Sequence, residues 1–376
     1  MTLMTVAMLV VGLAILTLGA EFLIRGASRL ASVLGVSPLV IGLTIVAYGT
    51  STPELVVSVQ SGLKGQDDVA VANVVGSNIF NVLAILGPCA LLLPLKVSSQ
   101  LIRLDVPIMI GSSLLVWLLA SDGRIGTVDG LLLTSLIAVY TIWSIVKSRS
   151  ETKEIQQEYD AEYGPAESGG RSSGAILKDL ALIVAGLVFL VLGGQWFVDG
   201  SIQLARFLGI SEVIIGLTII AIGTSLPELA TSLVATIRGE RDIAIGNVVG
   251  SCIYNLLSIL GIASLVTPGG LAVDPPMLHV DIPVMVLVAI VCLPIFLTGM
   301  TISRAEGLFF FVGYILYTAY LILDAEGHGN PHPAADVQDK PVALHRLLPE
   351  DGSLPYGKIA LSTERSLAYS LPNNPS

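Results

Sequence analysis

Glu54 and Glu228 stand out because of where they lie. Glu54 sits in AYGTSTPELVVS, residues 47–58, and Glu228 in AIGTSLPELATS, residues 221–232, each inside a long apolar stretch. A carboxylate at membrane depth is expensive and marks a functional site by default. Gly49 and Pro53 bracket Thr50, Ser51 and Thr52, and Gly223, Thr224, Ser225, Pro227 and Glu228 repeat the arrangement. Proline removes one N–H and clashes with the carbonyl four residues back, so a helix is expected to kink or open near Gly49. Freed carbonyls and Thr and Ser hydroxyls are hard oxygen donors, suited to Na+ or Ca2+.

A second set follows each motif. Asn73, Ser77 and Asn81 recur every four residues, as do Asn247, Ser251 and Asn255, which keeps each trio on one helical face. Gly76 and Gly250 beside them allow helices to approach closely in a membrane. Interhelical hydrogen bonding is the competing reading, strongest for Asn73 and Asn247 near the helix starts. Two glutamates with these amides and hydroxyls make an all-oxygen cage of charge −2, which Ca2+ or two Na+ would neutralise. A transition metal would call for His or Cys, and no His lies near either motif. Cys89, Cys252 and Cys292 lie in or beside apolar blocks and suggest neither a disulfide framework nor a metal site.

The elements that must carry these residues are transmembrane helices. The chain of 376 residues is 53% hydrophobic and only 13% charged, with a mean hydropathy of +0.82. Ten apolar blocks, 4–24, 38–61, 70–94, 105–121, 126–147, 176–200, 212–237, 243–267, 280–298 and 305–323, are each about long enough to span a bilayer. The first resembles a signal peptide but lacks a basic n-region, and it has a counterpart later in the chain. Shifted by 174 residues, the chain overlays itself: 26 of the 46 positions between 42–87 and 216–261 are identical without a gap. Each half therefore holds five spans, and an odd number puts the second half into the membrane in the opposite sense. Inverted repeats of this kind place substrate sites near the midplane, where the halves meet. The expected fold is an all-α polytopic membrane protein: ten transmembrane helices as two inverted five-helix repeats with broken helices at the midplane. Its parts are repeats 1–147 and 176–323, a solvated linker 148–175 and a disordered tail 324–376.

Charge gives the orientation. With the N-terminus outside, inside loops hold Arg25, Arg29, Lys96, Arg103, five basic residues from Lys147 to Lys178, Arg238, Arg241 and Arg304. Outside loops then hold only Lys64, Arg124 and Arg206. Both termini are thus expected outside and the 148–175 loop in the cytoplasm. The net charge of −10 argues against a nucleic-acid partner. Glu21 pairs by repeat with Gln195 and is expected near the interface. Asp105 and Asp281, each just before a helix-starting proline, and Asp68 and Asp242, beginning the third span of each half, are expected to cap helices.

GTSTPE with GSNIFN, and GTSLPE with GSCIYN, closely resemble the two α-repeats of the sodium/calcium exchanger family, within the calcium/cation antiporter superfamily. The resemblance covers nearly all of residues 3–323 and implies four adjacent cation sites. It implies that Ca2+ is held by the Glu54 and Glu228 carboxylates with the backbone carbonyls of Thr50 and Thr224. One Na+ site would draw on Ala47, Thr50, Ser51 and Ser77, and its mirror on Ala221, Thr224, Ser225 and Ser251. The central position would involve Asn81 and Asn255. Several relatives carry Asp where Asn255 stands, including potassium-dependent ones; two Asn lower the ligand charge by one and disfavour K+ co-transport. The family implies an antiporter exchanging Na+ for Ca2+ by alternating access, with the transported ions as its only small-molecule partners, no cofactor and no enzymatic activity. A Ca2+/H+ antiporter on the same fold is the alternative, though that branch usually carries GN-x-x-E in place of GTS-x-PE. A passive cation channel is the further rival. The short linker, without large regulatory domains, suggests a prokaryotic plasma (inner) membrane.

Overall fold

The computed structural model describes residues 3–149, 173–210, 212–215, 218–219 and 221–328. Most of the linker and of the tail expected from the sequence, the unit Gln338–Ser376 included, lies outside these residues. In chain order the helices are α1 (Leu3–Leu34), α2 (Pro38–Thr50), α3 (Thr52–Leu63), α4 (Asp67–Leu92), α5 (Leu101–Asp122), α6 (Thr127–Arg149) and α7 (Ser173–Phe207). They continue with α8 (Glu212–Ile215), α9 (Ala221–Gly223), α10 (Leu226–Ile237), α11 (Arg241–Val266), α12 (Met277–Leu297) and α13 (Arg304–His328).

Among the described residues, eight helices are long and apolar enough to cross a membrane: α1, α4, α5, α6, α7, α11, α12 and α13. A ninth crossing is the pair α2 and α3, bent by 46° at Ser51. The bend falls between Gly49 and Pro53, where the missing proline N–H was expected to open the helix. The tenth expected block, 212–237, is described as α8, α9 and α10. It breaks at the repeat-related place, since α10 starts at Leu226 with Pro227 in its first turn.

The halves interlock along two axes. α1 lies along α7, and a Cβ on Gly19 of α1 would stand 2.7 Å from the Leu190 backbone nitrogen of α7. Without side chains there, the backbones meet directly, which is how small residues drive helix association in lipid. α4 and α11 run through the centre as the most buried spans. A Cβ on Gly250 of α11 would fall 2.6 Å from Leu43 Cα of α2. Both central helices widen into π-helical turns, Asn81–Leu86 and Asn255–Ile259, beginning at the two predicted central asparagines. Such wide turns concentrate at functional positions. The largest buried cluster joins α4, α5, α11 and α12, whereas α1, α6, α7 and α13 expose Leu131, Val139, Val184, Leu316 and similar side chains, as lipid-facing helices do.

Among the described residues, four two-residue strands tie the halves together: β1 (Leu95–Lys96), β2 (Arg124–Ile125), β3 (Leu271–Ala272) and β4 (Thr301–Ile302). β1 pairs antiparallel with β4, Leu95 opposite Ile302, and β2 with β3, Ile125 opposite Leu271. Each pair joins one repeat to the other. The pairs also join loops that the charge count assigned to a common side: 95–96 with 301–302, and 124–125 with 271–272.

The four aspartates do not act as the expected N-caps: two make no cap bond and two are not at the N-cap position. No Asp105 or Asp281 side chain bonds the helix start, because the turns Leu101–Asp105 and Met277–Asp281 are π-helical and the backbone N–H groups just beyond are already bonded within them. Instead Tyr140 donates to Asp105 at 3.0 Å and Tyr317 to Asp281 at 2.8 Å, fastening α6 to α5 and α13 to α12. Asp68 and Asp242 lie one residue or more inside α4 and α11, whose N-cap positions are Gln66 and Glu240. There they lie in the first turn, at the positive end of the helix dipole.

Candidate functional site

The two broken crossings bring their glutamates to one buried centre, and each carboxylate is held by the opposite repeat. Ser51 Oγ donates to Glu228 Oε1 at 2.6 Å, and Ser225 Oγ donates to Glu54 Oε1 at 2.9 Å. Ser51 also reaches Ser251 Oγ at 3.0 Å, and Ser225 reaches Ser77 Oγ at 3.1 Å. Each serine ends the first arm of its break, so the bend turns its hydroxyl across the molecular axis. Each glutamate lies in the first turn of the second arm, α3 or α10. The swap is a direct consequence of inverted repeats crossing at their breaks.

A further ring of hydrogen bonds follows the same exchange. Thr50 Oγ1 donates to Asn247 Oδ1 at 3.1 Å, and Thr224 Oγ1 to Asn73 Oδ1 at 3.3 Å. Asn73 Nδ2 then donates to the Glu54 carbonyl at 3.1 Å and Ser58 Oγ at 2.9 Å, while Asn247 Nδ2 donates to the Glu228 carbonyl at 3.3 Å and Ser232 Oγ at 3.0 Å. Asn73 and Asn247 thus do the interhelical work that was the competing reading for them, and they also orient the two threonines. Ser58 and Ser232 escaped the sequence reading, although they follow each Glu by four residues and match across the repeat shift.

What is left unpaired defines the chemistry. Glu54 Oε2, Glu228 Oε2, Asn255 Oδ1 and both polar atoms of Asn81 are buried without a hydrogen bond. Buried polar atoms are rarely left so, and an unpaired buried carboxylate oxygen is costly. Oxygens gathered this way fit a hard cation. The fit extends to the other predicted residues. Ala47, Thr50, Ser51, Ser77, Asn81, Ser225, Ser251 and Asn255 are each no more than 3% exposed, as are both glutamates. Thr224 is half-buried. Ala221 opens α9; its side chain lies outside the described residues. Among the described residues no cluster of His, Cys, Asp and Glu could hold a transition metal.

Asn78 is a further buried residue of the centre that the sequence pattern does not single out. Its amide donates to the Cys252 carbonyl at 3.3 Å, and Asn255 Nδ2 donates to Asn78 Oδ1 at 3.0 Å. Its repeat counterpart is Cys252, so the self-overlay of the sequence gives no signal there.

Comparison with known proteins agrees with this architecture. The family model described as sodium/calcium exchanger protein matches residues 4–146 and 178–323. The inner membrane protein YrbG of Escherichia coli is 37% identical over 325 residues, covering 85% of this chain and 97% of that protein. The sodium/calcium exchanger MaX1 of Methanosarcina acetivorans is 32% identical, covering 84% and 97%. The solved structure of the sodium-calcium exchanger NCX_Mj soaked with 10 mM Na+ and zero Ca2+ superposes with a TM-score of 0.73 at 28% identity, covering 85% of this chain and all of that one. With its duplicated GTS-x-PE breaks and crossed carboxylates, the chain belongs to the sodium/calcium exchanger family, as a multi-pass membrane cation/Ca2+ antiporter.

Proposed function

We propose that this protein uses Na+ entry to expel Ca2+ from the cytoplasm, through one shared site built around Glu54 and Glu228. The observation that carries this reading is the crossed pair Ser51–Glu228 and Ser225–Glu54, which leaves one bare, buried oxygen on each carboxylate. Both ions need those oxygens, so they compete. An ion-loaded cage cancels its charge of −2, whereas an empty charged cage is costly to carry past the low-dielectric barrier. Exchange is then favoured over leak.

In this assignment Ca2+ takes the two carboxylates with the Thr50 and Thr224 carbonyls. The flanking Na+ positions take Ala47, Thr50, Ser51 and Ser77 on one side and Ala221, Thr224, Ser225 and Ser251 on the other, with Asn81 and Asn255 at the centre. The repeats are 1–147 and 176–323, with both termini outside and the linker in the cytoplasm. Under that orientation Asn73 and Thr224, both half-buried, lie toward the outer face, and the sealed pair Thr50 and Asn247 lies toward the inner one. An outward-accessible conformation is supported by this difference.

Transport into proteoliposomes tests the reading. Vesicles loaded with Na+ are expected to take up Ca2+ when diluted into Na+-free medium, and equal K+ or pH gradients are expected to drive none. Ca2+ uptake driven by pH without Na+ would establish the proton-coupled alternative instead. Currents far above transporter rates in a single-channel recording would establish a channel.

A further inference from the structure

The two central asparagines occupy equivalent places but are held differently. Asn255 Nδ2 is spent on Asn78 Oδ1 at 3.0 Å, so the atom Asn255 has left over is its Oδ1, buried and without a hydrogen bond. Asn78 is fixed in turn, because its own amide donates to the Cys252 carbonyl at 3.3 Å and contacts Met285 Sδ at 3.7 Å. A residue with both amide hydrogens engaged must turn its oxygen the other way, toward Asn255. Around Asn81 the arrangement fails: the residue equivalent to Asn78 is Cys252, and Asn81 has neither polar atom hydrogen-bonded.

We propose that Asn78 is a positioning residue that sets the amide of Asn255, so that an oxygen and not an NH2 group faces the central cation position. The proposal rests on the exchange reading above. A hard cation takes carbonyl oxygen as a ligand and is repelled by an amide NH2. An asparagine rotated by half a turn therefore changes from ligand to barrier, and the side chain by itself has little preference between the two. Asn78 supplies that preference for one of the two central amides. Asn81 has no equivalent asparagine beside it, so only one of the two central amides is set in this way. An Asp at 255 would present oxygen in either orientation and would not need Asn78.

This gives a test that separates orientation from packing. Na+-dependent Ca2+ uptake is measured in proteoliposomes for Asn78→Leu, which keeps the branched shape and removes the acceptor, in the Asn255 protein and in Asn255→Asp. In the Asn255 protein the substitution is expected to raise the Na+ concentration for half-maximal uptake about tenfold, on the order of one hydrogen bond, with a smaller change in maximal rate. In Asn255→Asp it is expected to shift that concentration less than about threefold on the same scale. Equal shifts in both backgrounds, or none in either, would overturn the proposal. Asn78→Ala takes the place of the Leu variant if the latter does not fold, with the same pair of expectations. The unsubstituted protein is the control for the exchange reading: absence of Na+-driven uptake there counts against that reading, whereas uptake with uncoupled Asn78 effects counts against this one.

Discussion

The two repeats agree closely at the cage and differ around it. Near the glutamates the contacts match residue for residue: Ser51–Glu228 with Ser225–Glu54, Thr50–Asn247 with Thr224–Asn73, Asn73–Ser58 with Asn247–Ser232. One turn further on, the match ends. On the second repeat α1 packs over α10, where Leu226 is 8% exposed and Ala230 and Val234 join the α1 cluster. The equivalent residues of α3, Thr52 and Val56, are exposed. Glu21 of α1 pairs with both Arg25 and Arg238, closing the seal, while the counterparts of Glu21 and Arg238 are Gln195 and Lys64. The proposed ion chemistry needs both halves alike, since in it both glutamates serve the same ions. Alternating access needs the surroundings to be unlike in any one state, since only one side is open at a time.

The largest expected effect tests the likeness. Glu54→Gln and Glu228→Gln each remove one of two charges and leave the partner serine facing an amide. Each is expected to lower Ca2+ exchange about a hundredfold or more, the scale of breaking a buried charge contact. The two losses should lie within about tenfold of each other on that scale; a tolerated substitution at either position would break the equivalence. Next come the serines. Ser51→Ala and Ser225→Ala each delete a hydrogen bond to a buried carboxylate, worth about 1.5–3 kcal/mol. Half-maximal Na+ is expected to rise about tenfold to a hundredfold in uptake assays.

Two smaller effects test the difference. Glu21→Gln loosens only the seal between α1 and α10. The pair is partly exposed, so its contribution is about 1 kcal/mol or less. Backbone hydrogen exchange in 226–237 is expected to rise about threefold to fivefold, with 52–63 unchanged; equal changes in both segments would remove the seal from the comparison. The smallest effect concerns Glu240, which lies outside the spans. Burial raises its carboxyl above the ordinary glutamate range, partly offset by its hydrogen bond with Ser28 and by Arg238. A raised folded value means that the folded protein holds the proton more tightly. Its thermal stability is therefore expected to increase as pH falls through that raised value and to level off below the unfolded one. Glu240→Gln should remove that part of the pH profile in a melting series.

Much of the cage was legible because it is duplicated. A Glu behind GTS-x-P is ambiguous once; at two positions related by the repeat it points to the two breaks and to one shared centre, where Ser251 and Ser77 lie within hydrogen-bond distance of Ser51 and Ser225. Legibility failed where the halves diverge or where backbone geometry decides. Asn78 is hidden because its counterpart is Cys252. Asp105 and Asp281 sit in capping contexts by sequence, but π-helical turns leave nothing to cap and tyrosines from distant helices take the carboxylates instead. The crossing of serine to the opposite glutamate depends on how two bends face each other, which no single-segment pattern encodes.

The central claim, one cation cage shared by both repeats, is tested most directly by Ca2+ binding to the purified protein in Na+-free detergent solution, titrated calorimetrically. Saturable Ca2+ binding is expected, displaced by added Na+ and abolished by Glu54→Gln and by Glu228→Gln. Ca2+ binding that persists in either variant, or that ignores Na+, would contradict it.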